Sequence, residues 1–173
     1  SLSALAAERI AVVTLLEGPA ALVRGTTRYA LAEGVRVRPG DIIEVSEKGL
    51  AEIEFFEGTA LALGPGARML SIVASRGKSA TEDYYVTRGA MKISGVKQGE
   101  TIRLVTPVFT VLPGDGSAVL VLGAADGAVF VEGGAVRITE PSVKGVAPAP
   151  AVLKSGEFYA RKADQKGALA ARP

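Results

Sequence analysis

Glu52 and Glu54 stand two residues apart in AEIEF, which puts both carboxylates on one face of a strand about 7 Å apart. Carboxylates at that separation are within range of a glycosidase pair. They alternate, however, with Ala51, Ile53 and Phe55, as a solvated outer face alternates with a core face, and the chain holds no Trp to stack a sugar. Gly77-Lys78-Ser79 spells the end of a phosphate loop, but the position of that loop's first glycine is Ile72 and no helix follows to aim amides at a phosphate. Ser75 and Lys78, like Ser94 and Lys97, match the SxxK spelling of penicillin-binding proteins. That chemistry needs successive helical turns, whereas both pairs fall in or beside strand-ending loops. Asp115 and Asp126 each precede a glycine and read as turn residues, because no DxDxDG ligand spacing surrounds them. With no Cys and no His, a disulfide scaffold, a Cys/His zinc site and a His-based nucleophile are all excluded. No catalytic, cofactor-binding or metal-binding residue is expected, and the sequence assigns no individual partner-binding residue.

The elements that would have to position any site are strands. Residues 34–70 show this best. Val35 and Val37 alternate with Arg36 and Arg38, and Pro39-Gly40 has the order a type II turn requires. After IIEV and SEKG, Ala51, Ile53 and Phe55 form the apolar face of a half-buried strand. Ala21–Arg24 and Arg28–Leu31 flank Gly25-Thr26-Thr27 as a hairpin, Arg68–Ser75 makes a longer strand, and RGKSATED (76–83) is the most polar loop. Short strands YYV, AMKIS, TIRLV, FTVL, SAVLVLG, AVFVEG and AVRIT follow, each bounded by Gly, Pro or Asp. No segment sustains helical periodicity, and only the first and last dozen residues are helix candidates. The expected fold is all-β: many short strands in a sandwich, jelly roll or solenoid-like stack.

EGTALALGPGARM (57–69) and DGAVFVEGGAVRI (126–138) align without gaps, matching Ala60 to Val129, Ala62 to Val131, Gly64 to Gly133 and Arg68 to Arg137. A duplicated hairpin and a chance likeness between glycine-rich hairpins both account for this. The expected organisation is an N-terminal segment at 1–9, a β-domain at 10–158 divisible into lobes at 10–75 and 84–158, and a basic, disordered tail at 159–173.

In order along the chain, VRPGD, an alternating strand, Glu57-Gly58, Leu61 and Leu63, and the GPGA turn resemble the FecR domain, an extracytoplasmic module named after ferric-citrate signalling regulators. The resemblance runs more loosely through TRGAMKIS (87–94), Thr106-Pro107, VFVEGGAVRI (129–138) and LKSGE (153–157), covering roughly residues 10–158. Each element is a turn or strand pattern, so only their succession carries weight. FecR regulators span the membrane: a cytoplasmic N-terminal part controls a sigma factor and a periplasmic part contacts an outer-membrane transporter. The resemblance implies only the periplasmic β-module, so iron, siderophore and sigma factor do not carry over.

Charge and ends agree with that expectation. Five basic and two acidic residues fall from Lys154 onward, a net +3, which leaves the rest of the chain at −1 of the total +2. A nucleic-acid binder would place basic residues with aromatics on a folded face, so no nucleic-acid partner is expected. No apolar run approaches the ~20 residues of a membrane helix. Ala4-Leu5-Ala6 resembles a signal-peptidase site and is equally ordinary helix-forming sequence; the chain reads as a mature or trimmed form, periplasmic or secreted. Pro and Ala in GVAPAPAV (145–152) make an extended spacer. The two-sided apolar strands IAVVTLL and AVLVLG call for burial on both faces or cover by a partner. The expected function is therefore non-enzymatic: a binding or signalling module of FecR type that contacts another envelope protein through a strand edge or apolar surface. The alternative is a carbohydrate- or peptidoglycan-binding module, which would need exposed aromatics. Tyr84 and Tyr85 are adjacent, so only one of them can face outward from a flat strand.

Overall fold

The computed structural model describes residues 11–55, 58–73, 81–96 and 101–170, and within them every regular element is a strand. The first half holds β1 (Ala11–Glu17), β2 (Ala20–Arg24), β3 (Thr27–Ala30), β4 (Arg36–Val37), β5 (Ile42–Val45), β6 (Leu50–Phe55), β7 (Ala60–Leu63) and β8 (Arg68–Val73). A long β9 (Thr81–Ser94) leads to β10 (Thr101–Val105), β11 (Thr110–Leu112), β12 (Ser117–Leu122), β13 (Asp126–Gly133) and β14 (Ala135–Thr139). β15 (Ala151–Lys154), β16 (Phe158–Lys162) and β17 (Ala168–Ala170) follow. The all-β expectation holds. Among the described residues no helix is long and apolar enough to cross a membrane.

All 17 strands join one hydrogen-bonded network, open rather than closed into a barrel, and it doubles over into two layers. The first sheet runs β4–β1–β6–β7–β9–β12–β13–β16–β17, antiparallel throughout. The second runs β3–β2–β5–β8–β9–β10–β11–β14–β15, with β9 and β10 parallel and every other pair antiparallel. β9 belongs to both. Its N-terminal half lies between β8 and β10 and its C-terminal half between β7 and β12. The corner is Gly89, at φ +86°, where a Cβ would collide with the Ala67 backbone. Only glycine meets both demands.

The similarity between residues 57–69 and 126–138 reflects a repeat of topology. β5 in the second sheet leads to the β6–β7 hairpin in the first and back to β8 beside β5; β11, β12–β13 and β14 do the same. Register agrees at the core: Ile43 faces Met69 as Val111 faces Ile138, and Ile53 faces Leu61 as Leu120 faces Val129. The ungapped match of Ala60 to Val129 and Ala62 to Val131 is one residue out of step. A bulge at Glu132, between Ser117↔Gly133 and Ala118↔Val131, adds the extra residue. Because strand side chains alternate, that slip set outward alanines against buried valines. Arg68 and Arg137, beyond the bulge, are matched correctly.

Both sheets contribute to one buried cluster, which includes Ile43, Ile53, Leu61, Met69, Leu104, Leu120, Ile138 and Leu153. Ile53 and Phe55 lie in it while Glu52 and Glu54 face out, as alternation predicts. The Pro39-Gly40 turn also forms, with Gly40 at φ +90° and the Asp41 N–H donating to the Arg38 carbonyl at 3.0 Å. Two expectations need correction. The polar loop placed at 76–83 ends earlier: Glu82 and Asp83 are buried residues of β9. Residues 74–80 lie outside the described residues. The disordered tail expected from 159 is instead strand through β16 and β17, with Tyr159 and Arg161 buried. Its charges misled: Arg161 is an internal ion-pair partner, and Tyr159 is the one apolar residue on the buried face of β16. Residues 171–173 lie outside the described residues. Deleting residues 161–173 is therefore expected to lower the melting temperature by several degrees, and an unchanged thermal melt would show that Arg161 and β17 hold nothing.

Candidate protein-binding surface

Among the described residues, none of those whose types could do chemistry is brought into a reactive group. Glu52 and Glu54 sit on the open outer face of the first sheet, opposite Leu15 and Val12, with no facing wall; Thr14 Oγ1 donates to Glu52 Oε1 at 3.2 Å. Asp115 is an exposed turn residue in a loop closed by the Gly116 N–H to the Pro113 carbonyl at 2.9 Å, and Asp126 opens β13. Ser75, Gly77, Lys78, Ser79 and Lys97 lie outside the described residues. Among those described, no three acidic side chains converge as metal ligands would.

The charged groups that are organised were invisible in the sequence, because their partners are distant in it. The Arg24 guanidinium donates to both oxygens of Asp41, at 2.8 and 2.7 Å, and the Arg38 N–H adds a third bond at 2.7 Å. Burial pushes the Asp41 carboxyl up, but Arg24 and Arg38 outweigh it and hold the group below the ordinary carboxylate range. The Asp of VRPGD is thus a buried structural anion as well as a turn residue. Arg103 likewise forks onto Asp83, at 2.7 and 2.5 Å, across the one parallel pair. At the C-terminal end, Glu140 accepts from the Tyr159 hydroxyl at 2.7 Å and the Gly167 N–H at 3.0 Å, with Arg161 Nε at 3.4 Å. Arg161 also donates to the carbonyls of Val108 and Gln165. Burial raises Glu140, and these donors bring it below its usual value; burial and then Glu140 push the Tyr159 hydroxyl far up, so it stays protonated. These three clusters tie strands together. Each is filled by its own partners.

The fold also leaves apolar surface open. On the first sheet, the β1 end presents Glu52 and Glu54, whereas the β17 end presents two adjoining uncharged rows. One runs Val119–Phe130–Phe158 across β12, β13 and β16, and the other Val121–Ala128–Ala160–Ala168 across β12, β13, β16 and β17. Val121 is 55% exposed, and a shallow groove of about 560 Å³ runs beside it, lined by Ala128, Ala160, Lys162, Gln165 and Lys166. On the second sheet the outward row is Val23–Ile42–Leu70–Tyr85–Val105, half-buried for most of its length and flanked by the Asp83–Arg103 pair.

Neither protein-family models nor curated proteins match this sequence. Two crystal structures of a candidate anti-sigma factor from Parabacteroides distasonis do match in three dimensions, each with a TM-score of 0.61, at 17% and 16% identity. The chains share a fold. The likeness covers 76% of this chain and 59% of the other, so the chain accounts for well under two thirds of its neighbour's length.

The tyrosines also bear on ligand class. Tyr84 is buried against Phe55, with ring centroids 5.2 Å apart, and Tyr85 is 38% exposed, so one of the pair faces outward as alternation requires. Tyr29, the other exposed tyrosine, stands on β3 opposite Leu22 and so points to the inner face, whereas Tyr85 points outward. These two rings cannot form one stacking platform for a sugar.

Proposed function

We propose that this chain is a non-enzymatic, extracytoplasmic binding and signalling module of FecR type that captures another protein of the cell envelope. The observation that carries the reading is the pair of uncharged rows on the outer face at the β17 end of the first sheet, bounded by Asp126 and Lys162 and lying beside an open strand edge. Contiguous apolar surface left partly open in this way marks interaction sites in water-soluble domains. The likeness in fold to a candidate anti-sigma factor supports a signalling context, and the order of FecR-like turns along the sequence supports the extracytoplasmic module. The ion pairs hold strands rather than reactants, and the exposed tyrosines do not pair, which favours protein over carbohydrate as the ligand.

A photo-crosslinking residue placed at Val121 in the native cell is expected to give one discrete protein adduct, and the same residue at Glu54 to give none. Equal labelling from both positions, or no adduct from Val121, would remove the basis for this function.

A further inference from the structure

Resting on the reading of the β17 end as a protein-binding surface, we propose that the outer edge of β17 is the docking edge, and that its occupant is an antiparallel strand of a partner protein in which branched aliphatic residues alternate with small ones. The duplicated register says what is missing there. Tyr159 stands against Val129 as Ile93 stands against Leu61, and Leu169 stands against Tyr159 as Ala118 stands against Ile93. Leu169 thus occupies the place of Ala118, and of Ala51 in the first unit. Ala118 is covered by Val131 and Ala51 by Leu63, and both are fully buried, at 0% exposure. Leu169 turns the same way, yet it is 57% exposed, because among the described residues no strand pairs with the outer edge of β17. The absent neighbour is a counterpart of β7 or β13: Leu61 and Leu63, or Val129 and Val131, inward, with Ala60 and Ala62, or Ala128, outward.

The other three sheet edges are blunted. β4 is two residues long, and the remaining edge of β1 is closed where the Leu16 N–H donates to Glu33 Oε1 at 3.0 Å. β3 carries Arg28, paired with Glu44, beside Tyr29. In β15, Ser155 donates to Gly134, so residues 154, 152 and 150 point their backbone outward by alternation. Lys154 is capped on both backbone groups by Glu157, and Pro150 has no N–H to offer. β17, three residues long, is short as well, but Ala168, Leu169 and Ala170 carry no charge, proline or bulge. Its first turn is held in place by the Gly167 bond to Glu140, and the apolar rows of the first sheet lead directly onto it. A strand added here gains main-chain bonds from the edge and buries Leu169, as in other strand-addition complexes.

The probe is a synthetic peptide of residues 58–64, GTALALG, flanked by lysines for solubility and titrated into the isotope-labelled full chain by NMR. Saturable shifts are expected at the amides of residues 168–170 and at the Leu169 methyls. A peptide with its Leu and Ala positions exchanged should bind at least about tenfold more weakly, since its aliphatic face points the wrong way. Leu169→Lys, a change at an exposed side chain, should abolish the shifts with an unaltered melting temperature, and Val152→Lys on β15 should leave them unchanged. Shifts centred on β3 or β15, no saturable binding, or binding indifferent to Leu169→Lys would overturn the proposal. So would a concentration-dependent dimer that shifts the same amides without peptide, which would assign the edge to a second copy. An adduct at Val121 that persists in Leu169→Lys defeats this inference alone, whereas peptide binding at β17 without any cellular adduct defeats the functional reading instead.

Discussion

Phe55→Ala is expected to destabilise the protein by about 3–5 kcal/mol in denaturant titration, with the midpoint moving and the slope holding. Phe55 ends the core face of β6, buried in register opposite Ala11 of β1, and its ring meets Tyr84 of β9 edge-on at 5.2 Å. Removing it opens a cavity among three strands whose backbones are fixed by hydrogen bonds on both sides, so little collapse can refill the space. Phe55→Leu keeps most of the volume and should cost less than about 1.5 kcal/mol. A loss below about 1 kcal/mol for the alanine variant would mean that this corner repacks freely and that β6 is not seated as described.

Asp41→Ala is expected to cost about 2–3 kcal/mol, because it leaves the Arg38 N–H and the Arg24 guanidinium without their shared acceptor. The lower end of the range for broken ion pairs applies, since the Arg24 side chain can turn to solvent while Asp41 itself is only 2% exposed. Asp41→Asn keeps the shape and an acceptor for Arg38 and should fall between wild type and alanine. The pH dependence has a definite sign. A carboxyl whose folded pKa is depressed lends stability above its unfolded pKa and loses it as pH falls through the folded value. The stability gap between wild type and Asp41→Asn should therefore be constant from neutral pH to about pH 5 and narrow below about pH 4. A gap that stays constant down to pH 2 would show that the Asp41 charge contributes nothing.

The local sequence determined what depends on near neighbours. Alternation put Ile53 and Phe55 inside and Glu52 and Glu54 outside, because successive strand residues point to opposite faces whatever the partner strand is. Pro39-Gly40 determined its turn, since fixed φ at one residue and positive φ at the next are properties of those residues alone. Absence of Cys and His removed whole classes of chemistry before any fold was known. Tertiary structure decided everything that depends on pairing across distance. The side-chain partners of Asp41, Asp83 and Glu140 lie 17, 20 and 19 or more positions away, so Asp83 reads as loop and Arg161 as tail unless Arg103 and Glu140 are placed beside them. The repeat was visible as composition but out of step, because a bulge adds a residue without changing the kinds of residue around it. Leu169, finally, is a leucine in a short alanine-rich stretch by sequence. Only its register against Tyr159, beside the buried equivalents Ala51 and Ala118, shows that it continues the core face onto an edge that no described strand covers.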